Sequence, residues 1–464
     1  MRAAPDKRRK GRGGGPNGSP ISGPSGSRLS GLADAELAEL CRAAFLASKS
    51  VVLAVSGGLD SMTLLLAAQR WREAEQRAGR EIALHVATVD HGLRQASADE
   101  AQWVAQQAQK ASIAHHILVW TGEKPRTRIQ EAARTARFGL LVDLVRRLRL
   151  PQPAGIALAH HLDDQAETFI MRLARGSGAD GLAAMPGRRQ LTPFPEEIHI
   201  VRPLLGISKE RLRATLLERG LAWLEDPSNE SLAFERVRVR RLLPALAQAG
   251  VGAEQIGVAA RRLARAREAL EQATGELAER IVDFHHGAMA EIALAGFLAA
   301  PAELRVRLLQ RIVARFGGHR DEPARLAQLE KLVDVLASGD RVATLAGCRV
   351  ARSAGRIQVV REPGRKGLPE LILPPGGALA WDNRFIVSAC ASHPRPLMVR
   401  AMSPQVWSLI VARRREAKLS WPGIPRAAAL TLPSFWDNDR LIAVPHPQIG
   451  IGTADGVSAI FSPA

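Results

Sequence analysis

The sequence predicts an α/β fold in which a doubly wound parallel sheet is followed by a helical region and a smaller C-terminal α+β domain. Three observations carry that expectation. Between about Ser48 and Gly220, short apolar runs alternate with longer stretches whose apolar residues recur at helical spacing. The first such run, Val51–Val55, leads directly into the glycine-rich turn Ser56-Gly57-Gly58-Leu59-Asp60-Ser61. After Gly339 the texture changes to short apolar runs split by Gly and Pro. Strand–helix alternation of this kind implies a parallel sheet, and ligands of such sheets gather at the carboxyl ends of the strands.

Taken in order, residues 1–31 are rich in Gly, Pro, Ser and basic side chains and contain no apolar signal-peptide core. They read as a disordered basic tail, either an RNA-searching arm or the product of a start codon placed too far upstream. Strands are expected at Val51–Val55, Ile82–Val89, Ile113–Val119, Gly155–Ala159 and Ile198–Val201. Helices are expected at Ser61–Gln76, Ser97–Ala111, Ile129–Leu148, Asp163–Ala174 and Ser208–Leu217. The turn-rich Glu225-Asp226-Pro227-Ser228-Asn229 then closes the first region. From Arg236 to about Ala337 the chain reads as helices dense in Ala, Leu, Arg and Glu, with no repeat of solenoid period. The expected division is a catalytic nucleotide-binding domain at 32–225, a helical nucleic-acid-binding domain at 226–338 and an α+β domain at 339–464.

Bulk properties narrow the function. A chain of 464 residues with 46% hydrophobic content suits a soluble protein of two or three domains. No apolar run approaches the ~20 residues of a membrane span. Cys41, Cys348 and Cys390 lie far apart and form no Cys-x-x-Cys pair, which argues against a zinc knuckle, an iron–sulfur cluster or a disulfide framework and fits a reduced cytoplasmic setting. Tyrosine is absent, so base stacking would fall to Trp, Phe, His or Arg. The net charge of +18 suits a polyanionic partner. An Arg-preferring proteome explains Arg in place of Lys, but not a surplus over Asp and Glu.

The Ser56–Ser61 turn reads as a phosphate loop. Unpartnered N–H groups at a helix start attract anions, and adjacent glycines let a phosphate approach the backbone. Asp60 would repel phosphate unless a hard cation such as Mg²⁺ lay between them. No lysine completes a γ-phosphate-transferring loop, and the glycines lack dinucleotide-fold spacing. Asp90 and His91, in Val89-Asp90-His91-Gly92-Leu93-Arg94, close the second strand, either within reach of a nucleotide or as a turn capped by Asp90. In Ala159-His160-His161-Leu162-Asp163-Asp164-Gln165-Ala166-Glu167-Thr168, Asp163 suits a helix N-cap, and Asp164 and Glu167 share a face. Such carboxylates could hold a metal or a cationic amine. Adjacent histidines point apart, so a stand-alone zinc or di-iron site is disfavoured. Arg175, in Arg175-Gly176-Ser177-Gly178, suits a phosphate. Gln130, Arg134 and Arg137 line one helical face, solvated or functional, and Arg236, Arg238, Arg240 and Arg241 form the densest basic run, fit for an RNA backbone.

In combination and order, these motifs, with Arg202-Pro203-Leu204-Leu205, resemble those of the bacterial tRNA(Ile)-lysidine synthetases, within the PP-loop ATP pyrophosphatases related to adenine nucleotide alpha hydrolases. The match runs from about Val51 to Leu243. The resemblance implies a ligase that joins free lysine to the wobble cytidine of a tRNA(Ile) with a CAU anticodon. ATP adenylates the cytidine C2 oxygen, and the lysine ε-amine displaces AMP. It implies ATP and Mg²⁺ at Ser56, Gly57, Gly58, Leu59, Asp60 and Ser61, with Asp90 and Arg175 also on the nucleotide. Asp60 and Asp164 become metal ligands, Asp164 alternatively a lysine ligand. Arg137 and His160 act at the adenylated base, and Arg236 contacts substrate. Two departures stand out: Val237 replaces an Asn of the family pattern, and Phe138 replaces an aromatic residue bearing a hydroxyl. Looser similarity, through Trp381-Asp382-Asn383-Arg384 and Trp436-Asp437-Asn438-Asp439-Arg440, implies that the C-terminal region grips tRNA. Oligomeric state stays open, a homodimer included. The alternatives are a PP-loop tRNA thiolase, which wants paired cysteines, and an inactive tRNA-binding relic, which would have lost Asp60 or Asp164.

Overall fold

The computed structural model describes residues 30–92, 97–122, 124, 129–191, 197–225, 235–318, 324–339, 341–416, 418, 423–449 and 456–463. The chain divides into two units, residues 1–163 with 201–230, and residues 164–200 with 231–464. Residues 1–29 of the basic tail, Leu93–Arg94 and Asp226–Asn229 lie outside the described residues.

In the first unit, α1 (Asp34–Phe45), β1 (Ser50–Ala54), α2 (Leu59–Arg77), β2 (Ala83–Asp90), α3 (Ser97–Lys110), β3 (Ala114–Val119), α4 (Ile129–Arg147) and β4 (Ala154–Ala157) follow in turn. The strands pair in parallel in the order β3-β2-β1-β4, with Ser50 opposite both Ala83 and Ala154 and His85 opposite Ala114. Val51, Val52 and Leu53 are wholly buried, as befits a central parallel strand covered on both faces. Helix α2 buries Leu64, Leu65, Leu66, Ala67 and Ala68, while its Trp71 ring meets Phe45 of α1 at 4.9 Å. The order β2-β1-β4 sets three strand ends side by side, and all the motifs expected at strand ends leave from them: Ser56–Ser61, Asp90–His91 and His160–His161.

Helix α5 (Leu162–Ala174) begins in this unit. α6 (Ala179–Leu182), β5 (Arg188–Gln190) and β6 (Ile198–Val201) follow, and the chain returns to the first unit for α7 (Lys209–Glu218). Asp163 is not the N-cap of α5. The helix already starts at Leu162, and the Asp163 carboxylate instead accepts from Lys209 N at 2.8 Å, capping α7.

The second unit continues with α8 (Glu235–Gln248), α9 (Ala253–Ile281), β7 (Val282–His285), β8 (Met289–Ala293), α10 (Leu294–Ala299), α11 (Ala302–Phe316) and α12 (Leu326–Ser338). After these come β9 (Val342–Leu345), β10 (Cys348–Ser353), β11 (Arg356–Arg361), β12 (Leu371–Leu373), β13 (Ala378–Trp381), β14 (Phe385–Ala389) and β15 (Leu397–Ala401). The chain ends in α13 (Pro404–Glu416), α14 (Arg426–Ala429), β16 (Pro433–Asp437), β17 (Arg440–Ala443) and β18 (Val457–Phe461). The stretch Arg236–Ala337 is therefore not wholly helical. His286 and Gly287, at φ 45° and 83°, turn β7 into β8, and β8 pairs with β11 in the sheet β7-β8-β11-β10-β9. That sheet draws on residues from both sides of 338/339. Phe297, Leu308, Phe316, Val350 and Ile357 form its core. A second core, with Trp381, Leu397, Trp407 and Phe435, lies under the sheets β12-β15-β16-β17 and β13-β14-β18.

The two Trp-Asp-Asn motifs are hairpin turns. Asp382, Asn383 and Asn438 all take positive φ, which Asn and Asp tolerate best among side-chain-bearing residues. Asp382 also accepts from buried Arg361 and Arg384, and burial pulls Arg384 down to about 10. Among the described residues, no helix is long and apolar enough to cross a membrane.

Candidate active site

The turn after β1 is locked into shape by its own atoms. Gly57 sits at φ 90°, a conformation unfavourable to L side chains, and its carbonyl accepts from Leu224 N at 2.9 Å. Ser61 Oγ donates to Gly58 O at 2.9 Å and accepts from Ser56 N at 3.2 Å, which draws the loop closed. Gly58 is the N-cap of α2 and provides no side-chain cap, so the first-turn N–H groups suit an anion. A Cβ on Gly58 would find no atom nearer than 3.9 Å, so space lies open above the loop.

Asp60 projects from the first turn of α2. Its Oδ2 lies 3.5 Å from Nε2 of buried His161, whose Nδ1 lies 3.4 Å from Asp163 Oδ2. Burial raises Asp163, but His161 and the Lys209 amide outweigh it and hold the carboxyl below its usual range. Asp60 Oδ1, by contrast, is buried and has no hydrogen-bond partner among the described residues. A buried carboxylate oxygen without a donor, beside a helix start suited to an anion, fits a hard divalent cation.

At the end of β2, Asp90 Oδ1 accepts from Gly92 N at 2.7 Å and Ser97 Oγ at 2.6 Å. The Ser97 hydroxyl and the Gly92 amide hold its carboxyl low. Asp90 thus caps the turn. Arg137, on α4, has a buried Nε without a hydrogen bond among the described residues, and burial, with Arg134 alongside, pulls it below the ordinary guanidinium range. Burial and neighbouring Arg137 also keep His91 neutral at physiological pH. His160 is oriented by Arg202, whose Nε donates to His160 Nδ1 at 3.1 Å. The first unit thus gathers the loop, Asp60, Asp90, Arg137 and His160 on adjoining strand ends and α4.

The second unit joins Asp164 to Arg236. Arg236 Nη2 donates to Asp164 Oδ1, its Nε donates to Glu167, and Arg240 Nε donates to Glu167 Oε1 at 2.7 Å. The Glu167 side chain is 1% exposed. Helical spacing turns Arg236 and Arg240 to one side of α8 and Asp164 and Glu167 to one side of α5. Arg175 stays outside this cluster; it is exposed and pairs with Glu235. The sequence suggests Glu167 beside Asp164 as a holder of a metal or a cationic amine, whereas here it pairs with Arg236 and Arg240; to His161 and Arg202 it assigns no individual role. Their signal was present as a second His in a pair and an Arg before Pro203, but it becomes specific only when partners distant in sequence meet.

Residues 32–246 match the family described as a PP-loop domain. The chain is 38% identical to a tRNA(Ile)-lysidine synthase of Ruegeria pomeroyi over 90% of its own length and 94% of that protein. It is 39% identical to a tRNA(Ile)-lysidine synthase of Rhodopseudomonas palustris over 69% of its length and 93% of that protein. A tRNA(Ile)-lysidine synthase of a Wolbachia from Brugia malayi is 33% identical over 73% of this chain and 76% of its own. Loop, fold and relatives agree, and the chain belongs to the tRNA(Ile)-lysidine synthase family of ATP-binding PP-loop ligases.

Proposed function

We propose that this protein joins lysine to the wobble cytidine of a tRNA(Ile) carrying a CAU anticodon, in the cytoplasm. The cytidine C2 oxygen attacks the ATP α-phosphorus and the α–β bond breaks, releasing pyrophosphate. The lysine ε-amine then attacks C2, the C2–O bond breaks with AMP leaving, and the amine sheds a proton. The observation that carries this reading is the self-closed Ser56–Ser61 loop with the unpartnered Asp60 Oδ1 at its helix start.

In this reading the loop amides and hydroxyls cradle the pyrophosphate, and Asp60 would hold Mg²⁺, which when bound would neutralise phosphate charge and ease departure of the leaving group. Asp90 shapes the loop that borders the nucleotide. Arg137, already partly desolvated, offers donors to the charge that develops on the adenylated base, and His160 is steadied there by Arg202. Asp164 orients Arg236 toward the RNA, a role its guanidinium partner favours over that of a second metal ligand. Arg175 contributes phosphate affinity, and residues 226–464 grip the tRNA. A sulfur-transferring reading is disfavoured because it wants paired cysteines: burial raises the Cys41 thiol and pushes Cys348 up to about 12, and Cys390, whose thiol Ser392 lowers, has no second cysteine near it in sequence.

The test incubates the full chain with ATP, labelled lysine and a tRNA(Ile) transcript bearing CAU. Label should enter the RNA with the wild type and fail to enter with Asp60→Ala. Label transferred equally by Asp60→Ala would overturn the assignment.

A further inference from the structure

A cavity of about 310 Å³ opens in the second unit, beside the strands that the two Trp-Asp-Asn turns join. Its walls come from the β7–β8 turn (His286), β14 (Phe385), the start of β16 (Pro433), the segment after β17 (His446, Pro447) and β18 (Phe461). The volume lies in the range of small-ligand sites. The lining mixes polar and apolar surface: two phenylalanine rings, prolines, two imidazoles and aliphatic side chains. The Phe385 and Phe461 centroids lie 5.5 Å apart, and the exposed His286 ring stands edge-on to His446 at 6.0 Å and 84°.

One imidazole of that wall is almost wholly buried. His446 is 5% exposed, and its Nδ1 accepts from Gln448 N, so the proton resides on Nε2. That Nε2 is buried, and the imidazole interacts with the His285 backbone. Burial, partly offset by the His285 backbone, lowers His446 to about 4, so at neutral pH it is an uncharged donor. Cations lie just beyond the walls. Exposed Arg315 stacks on Phe461 with its Cζ 5.3 Å from the ring centroid, and Arg414 Nη1 donates to Gln448 O at 3.4 Å. A slot walled in part by aromatic rings and flanked by guanidinium groups suits a planar uncharged ring whose chain carries phosphates.

We infer that this cavity receives one unpaired nucleobase of the RNA substrate, stacked against His286 and Phe461, while Arg315 and Arg414 meet the adjoining phosphates. The inference rests on the RNA substrate of the proposed function but names a separate contact.

The test uses the full chain with its phosphate loop saturated by a non-hydrolysable ATP analogue. The probe is a trinucleotide with 2-aminopurine at its centre, whose fluorescence falls on stacking. The wild type should quench the probe. His286→Ala, at an exposed position, and Ala459→Phe, which fills the cavity, should each weaken probe binding and raise the KM for tRNA about tenfold, the order of one lost base stack. The KM for ATP and the melting temperature of His286→Ala should stay unchanged. Absence of quenching by a wild type that still transfers lysine would overturn this inference alone. Wild-type affinity for probe and tRNA in both variants would do the same. Quenching that is lost in the variants of a protein that transfers no lysine would uphold the cavity while sinking the proposed reaction.

Discussion

Replacing Gly57 and Gly58 separately by alanine separates the structural from the binding role of the phosphate loop. At Gly57 the φ of 90° strains any L residue, and an added Cβ would lie 2.7 Å from Leu224 Cδ1 and 3.2 Å from Val104 Cγ2. A left-handed non-glycine residue costs about 1–3 kcal/mol. The contact adds about 1 kcal/mol, near the low end for overpacking, because the Leu224 methyl can yield although Leu224 N is tied to Gly57 O. Gly57→Ala should therefore cost about 2–4 kcal/mol and lower the melting temperature by roughly 5–15 °C. Gly58 has ordinary φ and ψ of −70° and 162°, and its nearest neighbour is 3.9 Å from an added Cβ. Gly58→Ala should leave stability within about 0.5 kcal/mol, while its methyl intrudes where phosphate must approach. Thermal melting and the KM for ATP measure both. Equal melting losses in the two variants, or unchanged ATP affinity in Gly58→Ala, would refute the reasoning.

Other perturbations follow from the same geometry. Asp60→Asn should leave melting nearly unchanged and raise the Mg²⁺ concentration for half-maximal activity at least tenfold, read by magnesium titration of lysine transfer. Glu167→Gln weakens the charge-assisted bonds to Arg236 and Arg240; because both guanidinium groups are about two-fifths exposed, the stability cost should be only about 1 kcal/mol, whereas the KM for tRNA rises. Asp163→Ala removes the acceptor that caps α7 and should cost about 1 kcal/mol in urea unfolding. His446, lowered from 6.5 to about 4 in the folded state, stabilises the protein while neutral. As pH falls below about 6.5 the unfolded chain binds the proton first, so up to about 3 kcal/mol should be lost as pH falls from 6.5 toward 4. His446→Gln should flatten the dependence of the urea midpoint on pH over that interval.

Where local pattern decides structure, the sequence was legible. Val51–Val55, wholly apolar and followed by adjacent glycines, marks a buried parallel strand and its phosphate loop. The spacing within Asp164–Glu167 and Arg236–Arg240 sets which side chains share a helix face. What escaped depends on partners distant in sequence. The β7–β8 hairpin hides within an Ala-rich stretch of helical composition, because strands of four and five residues carry too few alternations to stand out. Asp163 reads locally as the cap of its own helix, yet Lys209 N claims it across 46 residues. The Trp-Asp-Asn motifs, seen in the sequence only as points of family similarity, are positive-φ turns, and one of them anchors a buried arginine pair. His161 and Glu167 gain meaning only from Asp60 and Arg236, which the fold brings to them.

The central claim is tested most directly by the chemical identity of the product. The full chain is incubated with ATP, lysine and the CAU-bearing tRNA(Ile), the RNA is digested to nucleosides, and the products are resolved by mass spectrometry. The expected result is a cytidine at the wobble position heavier by one lysine less one water, formed with one AMP and one pyrophosphate per nucleoside and absent with Asp60→Ala. An unmodified wobble cytidine despite ATP cleavage, or a sulfur-bearing nucleoside in its place, would contradict it.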